Sequence, residues 1–400
     1  MHVELLALTG ILAIIALAAG AGSLHGNNAF PHPYAAPMSR FAATRYFSGL
    51  DALRAFSVIA VIWAHVAGPQ TITLLNQGHK GVDLFFAISG FLVTTLLLRE
   101  YRRNGGISLR DFYIRRSLRI FPLYYAVLAL YCVLVFATLR GTPKAAEFWD
   151  NLPAFLTYTT NWFVTLDGAA QHGVTFYFAW SLATEEQFYL FWPALMVLVI
   201  WLTQRNWAPA VAAAVLVVIQ IVAAGQVRPG FLAIVLASLA PAILFGVMFA
   251  VLLHNRRLFQ ALYPVLGHPA AAPLALAAVL ACLQFEVVSL LTRFLMALLV
   301  ACVCIREDTL LHPVLRWKPA VFVGTISYGI YLMHMLAANV VRKLVGEHSG
   351  LLVFALTVGV VVAMAYLSYR YFEAPILKLK DRFQGRPRAG RPEVAPASQF

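Results

Sequence analysis

From residue 48 onward the chain repeats one pattern: an apolar run of 18 to 28 residues, a short polar or basic loop, and another apolar run. The runs occupy about 48–68, 81–98, 118–139, 176–203, 208–225, 231–253, 262–285, 287–305, 320–343 and 350–373. A helix needs about 20 residues to cross roughly 30 Å of hydrocarbon, so each run is predicted to be a membrane span. The expected fold class is all-α: a polytopic transmembrane helical bundle of about ten spans. A further apolar segment, Leu5 to Gly22, lacks the basic leader of a signal peptide and is followed by a Pro-, Gly-, Asn- and His-rich stretch to Met38. It reads either as an extra span or as an overlong start, in which case the chain begins at Met38. The expected division is an N-terminal extension (1–47), a membrane domain (48–375) and a basic tail (376–400) whose "QGRPRAGRPEVAPASQF" predicts disorder.

Composition agrees with the pattern, since a chain that is 61% hydrophobic and 12% charged cannot hide its apolar residues in one soluble core. Charge adds orientation. With ten spans and the start of the first on the cytoplasmic side, cytoplasmic segments collect twenty-two Lys and Arg, and the opposite side collects six. That is the bias expected of cytoplasmic loops, and it predicts a multi-pass protein of the cell (inner) membrane with its tail inside. Reading the aromatic stretch "FWDNLPAFLTYTTNWF" (148–163) as a span would reverse this parity, so it is expected on the outer surface or as a re-entrant piece. The net charge of +13 is then topology and attraction to anionic membrane lipid, and no nucleic acid is needed to explain it. The four cysteines all fall in spans without metal-type spacing and read as packing residues, with no disulfide framework or metal site. No internal repeat is evident, nor a matched pair of broken helices of the kind transporters use.

Polar residues inside the spans carry the chemistry, because ionisable groups there are costly and face a cavity or a partner. Arg54 and His65 lie eleven residues apart on the first span, which at about 100° and 1.5 Å per residue places them on one face about 16 Å apart in depth. Arg54 alone is equally explained by snorkelling or by pairing with Asp51, and His65 by a hydrogen bond within the bundle. In "GVDLFFAISGFL" (81–92), Asp83 stands near the outer end, and Ser89 with Gly90 permits close approach of a neighbour or ligand. In "FYIRRSLRIFPLYY" (112–125), Arg116 and Arg119 share a helix face. Anchoring explains basic residues there, but the use of arginine without lysine suits bidentate phosphate contacts. "WSLATEEQFYLFWP" (180–193) puts Glu185 and Tyr189 one turn apart, with Trp180 as belt or pocket wall and Glu186 pointing elsewhere. "SYGIYLMH" (327–334) sets Ser327, Tyr331 and His334 in a polar seam that serves equally as helix glue. His65, Asp83, Glu185 and His334 are thus expected in the outer half, above a basic inner vestibule formed by Arg54, Arg116 and Arg119. Such a layout suits a phosphorylated donor below and imidazole-carboxylate proton transfer above.

These segments together resemble the acyltransferase-3 family of integral membrane acyltransferases. Five motifs agree in order: "LDALRAFSVIAVIWAH", "GVDLFFAISGFL", "RSLRIFPLYY", "WSLATEEQFYL" and "SYGIYLMH", followed by "YRYFEAPI", so the likeness covers about residues 48 to 375. It implies transfer of an acyl group, commonly acetyl, from cytoplasmic acyl-CoA to a hydroxyl of a carbohydrate or lipid-linked glycan, with no metal. Matched motif by motif, His65, Asp83 and Glu185 correspond to catalytic positions and Arg54, Arg116 and Arg119 to donor-binding ones. Ser89, Trp180, Tyr189, Tyr331 and His334 are expected to contact substrate. On this reading His65 is the general base for the acceptor hydroxyl, its tautomer fixed by Asp83 or Glu185. On this reading no hydrolase-like domain of the kind some members carry is expected after the last span, and the extension before Met38 is atypical of the family. The competing readings are a proton-coupled transporter or flippase using His, Asp and Glu as a relay, and a glycosyltransferase using a lipid-linked sugar.

Overall fold

The computed structural model describes residues 34–68, 70–164, 175–226, 229–346 and 349–379. The Leu5 to Gly22 segment and the tail from residue 380 lie outside the described residues. In chain order the helices are α1 (Ala35–Ala43), α2 (Ser48–Val66), α3 (Gly81–Asn104), α4 (Leu109–Thr138), α5 (Pro143–Leu156), α6 (Ala179–Thr203), α7 (Ala208–Ala224), α8 (Phe231–Ala237) and α9 (Pro241–His254). They continue as α10 (Arg256–Leu266), α11 (Ala271–Gln284), α12 (Ser289–Ile305), α13 (Lys318–Thr325), α14 (Ser327–Val345) and α15 (Leu351–Ser368). Helical turns of four or five residues lie between some of them, and no strand occurs among the described residues.

The architecture is all-helical, as expected, while the count of about ten spans is not confirmed. Among the described residues five helices are long and apolar enough to cross a membrane, with Thr73–Asn104 and Leu351–Leu377 each counted as one. Three further segments are helix pairs bent by 52° (α8 and α9), 75° (α10 and α11) and 77° (α13 and α14), which brings the total to at most eight. The two remaining apolar runs, α7 and α12, have 17 residues each, about 26 Å of helix. A chain breaker explains part of this: Pro241 opens α9 at its bend with α8. Broken helices, which the sequence did not disclose, are therefore a main feature of the bundle. Exposed apolar side chains such as Val133, Phe136, Trp201, Leu202 and Leu351 supply the outward surface that lipid requires. The aromatic stretch 148–163 forms the end of α5 and a short helical turn, Thr160–Phe163. It is tied inward by Tyr124 Oη to the Phe155 carbonyl (2.7 Å) and by Asn161 to Thr184 (3.1 Å).

At the centre α9 is buried on every side, as a helix without a polar face must be. It meets α3 backbone to backbone. A Cβ added to Gly90 would fall 1.9 Å from the Ile243 carbonyl oxygen, and one on Gly246 would fall 2.2 Å from that of Ala87. Gly324 does the same for α13 against the start of α2, where an added Cβ would lie 1.8 Å from the Asp51 oxygen. Several of the arginines are structural pins. Arg99 donates to the carbonyls of Phe41 (2.8 Å) and Thr44 (2.5 Å), Arg102 to that of His254, and Arg306 to that of Gly267 (3.0 Å), satisfying carbonyls that helix ends leave without partners.

Candidate functional site

A cavity of about 570 Å³ opens between α2, α3, α4, α6 and α14 and the π-helical turn Tyr369–Glu373 that follows α15. Five arginines, Arg45, Arg54, Arg115, Arg116 and Arg119, line its basic end. Their states differ. Arg54 pairs with buried Asp51 at 2.9 Å, and Asp51 also accepts the Tyr46 hydroxyl. Burial and the Asp51 carboxylate push the Tyr46 phenol up to about 12, so it stays a donor at neutral pH. Arg115 pairs with Glu100 at 3.2 Å. Arg116 lies over the Tyr189 ring, 4.6 Å from its centroid, a cation–π contact. Arg119 faces the cavity and, among the described residues, has no hydrogen-bond or ion-pair partner. Its side chain is solvent-accessible within the cavity, with the Asp51 and Glu373 carboxylates near but not paired with it, so its fork of donors is open to an entering anion.

Midway up the wall, Ser89 from α3 meets Glu185 and Tyr189 from α6. The Ser89 and Tyr189 hydroxyls both hydrogen-bond Glu185 Oε1, and the two hydroxyls are 2.9 Å apart. The expected Glu185–Tyr189 stripe is thus assembled, with a serine added. Glu186 lines the same cavity; the expectation that it points elsewhere is not met, because the cavity is broad enough to take in a neighbouring position 100° around the helix.

The cavity ends at a ceiling. Ser181 Oγ and Tyr331 Oη are 2.5 Å apart, and Tyr331 Oη also donates to the Phe178 carbonyl at 3.2 Å. Beyond it lie two imidazoles, neither of which lines the cavity. The His334 ring is 5.5 Å from that of Tyr331 and 5.0 Å from that of His65. His334 is fully buried, with Nδ1 on the Tyr331 carbonyl and Nε2 without a partner among the described residues. His65 Nδ1 lies 2.7 Å from the Val61 carbonyl and Nε2 lies 3.0 Å from Tyr177 Oη. A carbonyl only accepts, so Nδ1 carries the proton and Nε2 keeps its lone pair, the state a general base requires.

Among the described residues no carboxylate hydrogen-bonds His65. Asp83 instead pairs with Arg293 on α12 at 3.0 Å, and Glu185 is engaged by Ser89 and Tyr189. Shared depth put these acids beside His65 in the sequence reading, but azimuth separates them. Asp83 lies about 120° around α3 from Ser89 and is turned to Arg293, off the cavity wall. Trp180 also misses the cavity wall and packs edge-on to Phe86, with centroids 6.3 Å apart. Residues not anticipated are Tyr177, Ser181, Glu186 and Glu373. Ser181 stands four residues before Glu185 and shared its stripe, whereas Tyr177 lies in a turn before α6, where no periodicity marks it.

The acyltransferase-3 family model, described as an acyltransferase domain, matches residues 47–370. The chain is 30% identical over 361 residues to the Bacillus subtilis (strain 168) protein named "Putative peptidoglycan O-acetyltransferase YrhL", a match covering 83% of this chain and 55% of that one. It is 28% identical over 372 residues to the Staphylococcus aureus (strain NCTC 8325 / PS 47) protein named O-acetyltransferase OatA, covering 85% and 59%. The chain therefore spans little more than half the length of these curated relatives. No solved structure gives a significant match.

Proposed function

Because the chain belongs to the acyltransferase-3 family and is a membrane protein built on an acyltransferase domain, we propose that it moves an acyl group, acetyl above all, from acyl-CoA to a hydroxyl of a surface carbohydrate such as peptidoglycan or a lipid-linked glycan. The observation that carries this reading is Arg119, which faces a cavity lined by five arginines and five carboxylates and, among the described residues, pairs with none of those acids. Guanidinium groups converging on one cavity suit the several phosphates of CoA, which they bind bidentately. The phosphates dock on Arg54, Arg116 and Arg119 from the cytoplasmic side, and the pantetheine arm runs up past Ser89 toward the ceiling. His65 Nε2 takes the proton of the acceptor hydroxyl, since its tautomer is held by the Val61 carbonyl. The relatives' names support acetyl as the group and, for YrhL, peptidoglycan as the acceptor. The membrane domain is 48–375, with the start of α2 and the tail cytoplasmic. A proton-relay transporter is the weaker reading, because His65, Asp83 and Glu185 bond to separate partners and form no chain.

Titration of the purified protein in detergent with acetyl-CoA, CoA and dephospho-CoA tests the donor site. Saturable acetyl-CoA binding that weakens about tenfold, or about 1.4 kcal/mol, in Arg116→Gln/Arg119→Gln is expected. Absence of acetyl-CoA binding by the folded wild-type protein would overturn the reading.

A further inference from the structure

The ceiling raises a problem of reach. Ser89, Glu185 and Tyr189 lie inside the cavity with the arginines, while His65 and His334 lie beyond the Ser181–Tyr331 contact. A thioester held at the arginines and an acceptor activated at His65 therefore do not share one open space.

Ser89 differs from several neighbouring helix hydroxyls. Ser57, Thr184 and Thr325 each donate to the carbonyl four residues earlier, the usual resting place for a helical hydroxyl. Ser89 turns instead across to α6, onto a carboxylate oxygen, with the Tyr189 hydroxyl at 2.9 Å and the Arg116 guanidinium over the Tyr189 ring. A hydroxyl is activated as a nucleophile by an adjacent base, and the pairing of a serine with a base whose position a third group fixes is what covalent catalysis needs. The hydroxyl is also held in place, because the backbone at Gly90, the next residue, touches Ile243 with no room for a methyl group.

The geometry points to Ser89 as a nucleophile that carries the acyl group as an ester between the two half-reactions, with Glu185 as its base and Tyr189 as donor to the developing oxyanion. The inference rests on acyl-CoA being the donor. In the first half, Ser89 Oγ attacks the thioester carbonyl carbon, and its proton passes to Glu185. The carbon–sulfur bond breaks, and Glu185 returns the proton to the departing thiolate, leaving an O-acyl serine and free CoA. In the second half, the Ser181–Tyr331 contact parts and the acceptor hydroxyl oxygen attacks the ester carbonyl. The bond to Ser89 Oγ breaks, and the acceptor's proton, taken by the imidazole pair, goes to Ser89 Oγ and restores the serine.

The test uses the full chain in detergent with acetyl-CoA and no acceptor. Wild type should release CoA in a burst of about one per protein, and peptide mass spectrometry should find one acetyl group on Ser89, labile to hydroxylamine. His65→Ala should hold that acetyl group longer than wild type when an acceptor glycan is added. Ser89→Ala should bind acetyl-CoA within about threefold of wild type yet lose the burst and the label, and Ser89→Cys should carry the acetyl group as a thioester. Acetyl-CoA binding by wild type with no burst and no label would overturn the covalent serine and leave the donor reading standing. A label that persists in Ser89→Ala would also overturn it. No acetyl-CoA binding at all would overturn both.

Discussion

Ser89 and Gly90 are neighbours on α3 and face opposite regimes. Gly90 touches the α9 backbone where a single carbon would fall 1.9 Å from a carbonyl oxygen, whereas Ser89 faces a cavity of about 570 Å³. The packed side has no space to give, and the cavity side is open and lined by charged side chains. One helix thus provides both an anchor and a reactive wall, and the precision of the second depends on the rigidity of the first.

Substitutions on the two sides should separate accordingly. The largest effect is expected from Gly90→Val or Gly246→Val, which drive a side chain into the facing backbone. Overpacking of this kind costs about 1–3 kcal/mol where side chains can adjust, and backbone cannot, so loss of folded protein by size-exclusion profile and thermal melt is expected. A melting temperature equal to wild type would show that the α3–α9 contact is looser than described. Next in size is His65→Ala beyond the ceiling, where removal of a general base should lower acyl transfer by roughly 10²–10⁴-fold. The melt and the acetyl-CoA affinity should stay near wild type, and unimpaired transfer would remove His65 from the chemistry. The smallest effect on transfer is expected from Asp83→Asn, which weakens the mostly buried pair with Arg293. Removing one partner of a buried pair outright costs about 3–5 kcal/mol, and asparagine keeps the volume and a hydrogen-bond acceptor, so a lower melting temperature with transfer retained is expected. Abolished transfer in a folded Asp83→Asn protein would return this acid to the site.

The sequence made the helices legible through apolar run length, and made the Glu185–Tyr189 and Tyr331–His334 contacts legible through their spacing of four and three residues. Both are local properties of one helix. What it hid is relational. Depth along a span can be counted from its ends, but rotation against a neighbour depends on packing, and that is why Asp83 was expected beside His65 and lies on Arg293 instead. The bends were hidden for a related reason: hydropathy continues unbroken through Leu239 and Ala240, and only Pro241 hints that α8 and α9 part there. Tyr177, the partner of His65 Nε2, comes from a turn and carries no periodic signal at all.

Tyr331 and His334 stand three residues apart on α14, one at the ceiling and the other against His65. The same helix leaves α13 at a 77° bend, and α13 is fixed to α2 through Gly324. A movement of α14 that parts the ceiling therefore also moves the imidazole beside His65, so the two places are geared to one another through a single helix.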